Sequence, residues 1–125
     1  MKNYILVSTG AAFGGAARYW LTSSLYTIFP LTFPYGTLSV NFIGSLVIGI
    51  VMFYFDSNKL ISPEVRILLT TGFCGGLTTF STFSYETVKL MQDAEYFLSA
   101  MNVLANVVLT ITAVMSAYFI SKLIT

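Results

Sequence analysis

The residues with the clearest chemical potential lie between positions 72 and 84, where three glycines precede a run of hydroxyl side chains and two phenylalanines. Each glycine destabilises a helix interior by about 1 kcal/mol relative to alanine, so Gly72, Gly75 and Gly76 predict an interruption in this segment. An interrupted helix frees backbone carbonyls, which in a dry interior need a partner such as a cation, a helix dipole or ordered water. The segment therefore predicts an ion-binding site.

Two aromatic rings follow these glycines. Phe80 and Phe83 are three residues apart, so they share one face of a helix, and the hydroxyls of Ser81 and Thr82 lie beside them. Phenylalanine usually serves packing, but the edge of its ring carries partial positive charge and can face an anion. The neighbouring hydroxyl groups favour ring edges that face an anion, and packing stays open as the alternative.

A single cation occurs within the first apolar segment. Gly10, Gly14 and Arg18 are spaced by four residues and so fall on one helix face. Close approach of a second helix accounts for the two glycines. It does not account for a fixed positive charge, which costs about 3 kcal/mol or more at membrane depth. This favours an anion-attracting role for Arg18.

Polar residues also recur at four-residue intervals on two further apolar segments. An asparagine amide can donate two hydrogen bonds to an anion, or it can join neighbouring helices. The spacing leaves both interpretations open, namely a polar track that lines a pore and a ladder of interhelical hydrogen bonds. The stripes comprise Asn41, Ser45 and Gly49, with Gly44 beside them, in the second segment, and Asn102, Asn106 and Thr110 in the fourth.

The elements that position these residues must suit a lipid environment. Hydrophobic residues make up 56% of the 125 residues and charged residues only 9%, whereas soluble domains carry about 25% charged residues. Six basic residues against five acidic ones provide no positive field for nucleic acid. With Cys74 as the one cysteine and no histidine, an internal disulfide, a zinc site and a Ser-His-Asp triad are chemically excluded. We therefore expect an integral membrane protein and no enzyme.

Four segments approach the roughly 20 apolar residues that a membrane-spanning helix needs. They cover residues 4–29, 36–55, 66–90 and 95–122, and they predict a single all-α domain over 1–125 with four transmembrane helices, the third broken near its middle. An even number of spans puts both termini on one side of the membrane. The bias of lysine and arginine favours cytoplasmic termini, but it is weak enough that both orientations stay open. A cleaved signal peptide is disfavoured, because the later segments are equally apolar.

The thirteen residues from Gly72 to Ser84 resemble the signature of the Fluc, or CrcB, family of fluoride channels. Gly14 and Arg18 in the first segment, and Asn41 in the second, are also similar to that family, and the resemblance covers the entire chain. It implies a multi-pass protein of the cell (inner or plasma) membrane that exports cytoplasmic fluoride passively. It further implies an antiparallel, dual-topology homodimer with two fluoride pores.

The same resemblance implies a structural sodium ion on the dimer axis. By position, the backbone carbonyls of Gly75 and Thr78, two from each subunit, would be its ligands. The interruption that the glycines predict agrees with this role.

The remaining roles concern fluoride itself. The resemblance implies that the ring edges of Phe80 and Phe83 face the passing ion, that Asn41 lines the pore, and that Arg18 attracts anions near its entrance. The fourth segment departs from the family pattern, because Asn102 and Asn106 stand where many relatives carry tyrosine and serine.

Three other functions fit part of the sequence. A small antiparallel multidrug exporter also has four spans, but it needs an acid within the membrane, and Glu86 is the one candidate. A structural subunit that uses its glycines for packing leaves Arg18 unexplained. An intramembrane serine hydrolase lacks a histidine base.

Overall fold

The computed structural model describes residues 1–125 as five consecutive helices, with no strand. Helix α1 covers Lys2–Tyr26 and α2 covers Tyr35–Asp56, of which the last turn, Val51–Asp56, is π-helical. Helix α3 covers 63–77 and has a π-helical stretch, Leu68–Cys74, at its centre. Helix α4 covers Phe80–Gln92 and α5 covers Tyr96–Ile124.

Local sequence explains where several helices begin and end. The turn that contains Pro30 and Pro34 separates α1 from α2, since proline has no amide hydrogen to continue a helix. The Ser62 hydroxyl caps α3 by accepting a hydrogen bond from the Val65 amide at 3.3 Å. Ala94, with a φ angle of 60°, makes the left-handed turn that joins α4 to α5. The predicted ends of the segments therefore lie within a few residues of the observed ones.

Apolar side chains face outwards over much of the surface. Two helices, Tyr35–Asp56 and Tyr96–Ile124, are long and apolar enough to cross a membrane. On α5, Leu104, Ile111 and Phe119 each expose more than half of their surface. Surfaces of this kind face lipid or another protein. Together with the composition, they identify a membrane protein.

Glycines bring α1 and α3 into contact along their backbones. A Cβ atom added to Gly76 would lie 2.9 Å from the Ala11 Cα, and one added to Gly72 would lie 3.0 Å from the Gly10 Cα. Distances below 3.4 Å are tighter than ordinary contact. These glycines therefore serve close helix packing, which is the small-residue interface expected in membranes.

The interruption of the third apolar segment follows the three glycines. Gly72, Gly75 and Gly76 all lie within helical turns, and the helix stops only after Leu77. Close packing against α1 offsets the low helix propensity of glycine, and Gly72 lies within the π-helical stretch Leu68–Cys74. The extended residues are Thr78 and Thr79, at the end of the region from Gly72 to Thr79 in which the sequence predicts a break, because packing keeps the glycines themselves helical.

Ion pairs join the helix ends at one side of the bundle. The Lys2 Nζ atom donates to the Glu64 Oε1 atom at 3.0 Å, and Arg66 lies 3.3 Å from Asp56. The hydrogen bond from Lys2 is the main cause that lowers the pKa of the Glu64 carboxyl below its usual value. The exposed pair of Lys2 and Glu64 contributes little to stability, but it lies where the start of α1 meets the start of α3.

Candidate functional site

The site is built around two extended residues between α3 and α4. Thr78 has φ −80° and ψ 158°, and Thr79 has φ −151° and ψ 120°. The Thr79 hydroxyl caps α4 by accepting from the Thr82 amide at 3.2 Å. The Thr79 amide donates to the Asn41 Oδ1 atom at 2.8 Å instead of to the Gly75 carbonyl four residues earlier. The Gly75 carbonyl is thereby released from the helical hydrogen-bond pattern.

Asn41 clamps this break from α2. Its Oδ1 atom accepts from the Thr79 amide, and its Nδ2 atom donates to the Thr79 carbonyl at 3.1 Å and to the Asn106 Oδ1 atom at 3.0 Å. Both amide hydrogens are thus used within the protein. The interhelical hydrogen bonds expected as one alternative are present, and contact of Asn41 with an anion stays a prediction.

Arg18 reaches the same break from α1. Its Nη1 atom donates to the Thr78 carbonyl at 3.3 Å. The packing of Gly10 and Gly14 against α3 brings this face of α1 close to the break, since the three residues share one helix face. Arg18 therefore donates to the carbonyl that the family resemblance implies as a sodium ligand.

A cavity of about 370 Å³ lies beside the break. Helices α2, α3, α4 and α5 all contribute to its lining, which contains no acidic residue. Seven of the predicted site residues line it: Asn41, Gly75, Thr78, Phe80, Phe83, Asn106 and Thr110.

The two phenylalanines stand at the cavity in different environments. Their ring centroids are 5.3 Å apart and the ring planes are tilted by 53°. Phe80 is 79% exposed, whereas Phe83 is 8% exposed and belongs to the protein interior. One ring of the predicted pair is therefore available at the surface, and the other is held by its surroundings.

Four predicted residues do not line the cavity. Ser81 and Thr82 are exposed in the first turn of α4, where their hydroxyls lie 3.4 Å and 3.0 Å from the Thr79 hydroxyl. Arg18 lies behind the break, as described above. Asn102 is completely buried and donates from Nδ2 to the Thr87 hydroxyl at 3.0 Å. For Asn102 the structure shows the ladder of hydrogen bonds that was the alternative to a polar track.

Five lining residues were not predicted as site residues from the sequence: Ile48, Thr70, Cys74, Thr79 and Val107. Thr79 could have been found, because threonine immediately before a helix is a preferred N-cap. Thr70 and Cys74 lie in the π-helical stretch, where the wider turn changes which residues share a face. A helical period of 3.6 residues therefore does not place them on the cavity side.

Comparison with known proteins shows the family of this chain. Residues 5–118 match the family described as CrcB-like protein, Camphor Resistance (CrcB). A fluoride-specific ion channel of Geotalea daltonii is 46% identical over 107 residues, which cover 86% of each chain. A fluoride-specific ion channel of Geobacter metallireducens is 48% identical over 107 residues, again 86% of each chain. That of Pelobacter propionicus is 47% identical over 109 residues, or 87% of this chain and 84% of its own. With nearly its whole length matched in this way, the chain belongs to the CrcB family.

Proposed function

We propose that this protein is a fluoride-selective ion channel that lets toxic fluoride leave the cytoplasm passively. The observation that carries the proposal is the identity of 46% or more to three fluoride-specific channels over most of the chain. A channel requires a path and a selective site and no catalytic residue, so the proposal assigns no enzymatic activity.

The chemistry of the cavity supports an anion as the permeating ion. The first turn of α4 begins at this cavity, and the amide groups at the start of a helix carry partial positive charge. The edges of Phe80 and Phe83 add partial positive charge. Such groups can replace the water around a small anion without binding it as tightly as a fixed cation would.

We infer that four segments span the plasma membrane, the third of them made of α3 and α4 together. Two copies in opposite orientations would form the functional unit. The weak charge bias of the sequence permits both orientations. The open surface at Gly75 supports a partner there, since the nearest atom to an added Cβ is the Thr70 carbonyl oxygen at 3.9 Å.

The residues at the break also fit a structural sodium ion. The Gly75 carbonyl has lost its helical donor, and main-chain oxygens suit a hard cation. The Thr78 carbonyl accepts from Arg18, but a carbonyl oxygen has a second lone pair for another contact. Sodium would then draw the two copies together by occupying carbonyls of both, and Arg18 would hold the Thr78 carbonyl in place.

Fluoride efflux from liposomes tests the proposal. The purified protein is reconstituted into vesicles loaded with potassium fluoride, and efflux is started with valinomycin, which releases the balancing potassium. We expect fluoride to leave within the mixing time and chloride to be retained in matched vesicles. Efflux that is absent, or equal for both anions, contradicts the proposal.

The same vesicles separate the channel from a multidrug exporter. Glu86 is the acid such an exporter would use, and it is half-buried on α4, where its Oε1 atom accepts from the Thr37 hydroxyl at 2.8 Å. An exporter would take up protons in exchange for an organic cation and would lose this exchange in Glu86→Gln. A channel shows no proton uptake coupled to organic cations.

A further inference from the structure

We propose that Asn102 is a positioning residue for anion selectivity, because it fixes the rotation of α4 and with it the orientation of Phe80 and Phe83. The inference rests on the proposed channel function, since it concerns how the same cavity distinguishes anions. Asn102 itself is 0% exposed and does not line the cavity. It would therefore act through the residues to which it is bonded.

A continuous chain of hydrogen bonds connects the break to the phenylalanines. The Asn41 Nδ2 atom donates to Asn106 Oδ1, Asn106 Nδ2 donates to Asn102 Oδ1, and Asn102 Nδ2 donates to the Thr87 hydroxyl, each at 3.0 Å. The Thr87 hydroxyl in turn donates to the Phe83 carbonyl at 2.7 Å. The chain thereby joins α2, α5 and α4.

Main-chain groups fix the direction of this chain. Asn41 must turn Oδ1 towards the Thr79 amide, which can only donate. Asn106 must turn Nδ2 towards the Asn102 carbonyl, which can only accept and lies 3.0 Å away. Between these two anchors the amide orientations follow from donor and acceptor matching. Every link after Asn41 therefore donates towards α4.

The last hydrogen bonds of this series, at Thr87, determine which face of α4 is turned towards the cavity. Thr87 follows Phe83 by four residues, so the two share one face of α4. A second bond, from the Ser99 hydroxyl to the Thr87 carbonyl at 3.1 Å, holds the same turn against α5. A shift of one residue would rotate the rings by about 100° about the helix axis. Helix α4 has only 13 residues and follows two extended ones, so these bonds are its main polar attachment to α5.

Two near-isosteric substitutions and their combination test the role. Asn102→Leu removes the donor to Thr87, and Thr87→Val removes the acceptor. Asn102→Leu leaves the Thr87 hydroxyl without its donor and leaves Asn106 Nδ2 with only the main-chain carbonyl of residue 102, and Thr87→Val leaves the buried Asn102 Nδ2 without that acceptor. Both single changes lower stability, whereas the double change replaces both partners by apolar groups of similar shape and recovers part of it. Thr112→Val is the matched control on α5, because the Thr112 hydroxyl is exposed and bonds only to the Val108 carbonyl of its own helix.

The ratio of fluoride to chloride efflux is measured together with the thermal stability of each variant. We expect the ratio to fall at least about tenfold, equivalent to about 1.4 kcal/mol, in both single variants and in the double variant. The control keeps the parent ratio. Stability should recover in the double variant while selectivity does not, because the side-chain hydrogen bond between Asn102 and Thr87 is still missing and only the bond from Ser99 to the Thr87 carbonyl holds this turn of α4.

Other results overturn the inference. If the single variants lose selectivity but the double variant recovers both the efflux ratio and stability, Asn102 is only structural. If the single variants and the folded double variant all keep the parent ratio, Asn102 has no part in selectivity. A parent protein that does not conduct fluoride contradicts the proposed function as well. Parent conduction with unchanged ratios in the variants contradicts this inference alone.

Discussion

Replacing Gly14 by alanine should force α1 away from α3, and Gly15 provides the matched control. A Cβ atom added to Gly14 would lie 2.9 Å from the Leu77 amide nitrogen and even closer to the Phe73 carbonyl oxygen. Both obstacles are backbone atoms, which cannot swing aside as a flexible side chain can. An added Cβ at Gly15 meets no atom within 4 Å.

The expected difference follows from two opposing effects. Overpacking costs about 1–3 kcal/mol, and contact with backbone puts Gly14→Ala at the upper end of that range. Alanine favours the helix by about 1 kcal/mol relative to glycine, which is the whole expected effect of Gly15→Ala. The free energies of unfolding should therefore differ by about 3 kcal/mol between the two variants, although both make the same chemical change.

Titration with sodium dodecyl sulfate in mixed micelles measures this difference, with loss of helix followed by circular dichroism. Gly14→Ala should unfold at a lower fraction of the denaturing detergent than the parent, and Gly15→Ala at an equal or higher one. Because Leu77 immediately precedes the break, fluoride efflux should fall in Gly14→Ala as well. Equal midpoints for the two variants would refute the close backbone contact between α1 and α3.

Three further predictions concern the break and the phenylalanines. Phe80→Ile should lower fluoride efflux strongly with little change in stability, because the ring is 79% exposed, whereas Phe83→Ile should lower both efflux and stability, since that ring is 8% exposed. Efflux equal to that of the parent in both variants would show that the rings only pack. Arg18→Gln should reduce efflux at low and at saturating fluoride alike, because it removes the guanidinium group that donates to the Thr78 carbonyl. A defect confined to low fluoride would instead indicate that Arg18 concentrates anions. Prolonged replacement of sodium by a large organic cation should weaken the dimer and slow efflux, while Thr78→Ser should have little effect, since the proposed ligand is the main-chain carbonyl of residue 78. A sodium-free protein that stays dimeric and fully active would contradict the cation site.

The helices were largely predictable because strong local preferences mark them. Apolar segments of the required length, the prolines between α1 and α2, and the polar residues after α2 all indicate boundaries that need no tertiary information. The exact place of the break was not predictable in the same way. It depends on Asn41, which is 38 residues away from Thr79 and takes the amide hydrogen that would otherwise continue the helix.

The candidate site, like the helices, was predictable from the sequence only in part. The spacing of Phe80 and Phe83 was enough to place both on one side of α4, because that helix is regular. The partners of Asn102 and Arg18 could not be deduced, since one lies on α4 and the other in the break, at distances in sequence of 15 and 60 residues. A polar face can be recognised from helical periodicity, but whether it meets water, an ion or another amide depends on the neighbouring helix.

The reversal potential of the current through a planar bilayer tests the central claim most directly. The parent protein is placed between solutions that differ tenfold in fluoride, with chloride and the cations equal on both sides and a large impermeant anion replacing fluoride on the dilute side. For a fluoride-selective channel, the current should reverse at about 59 mV, the value for a tenfold gradient of a singly charged ion. A current that reverses near zero under this gradient, or that follows a chloride gradient when fluoride is equal, would contradict fluoride selectivity.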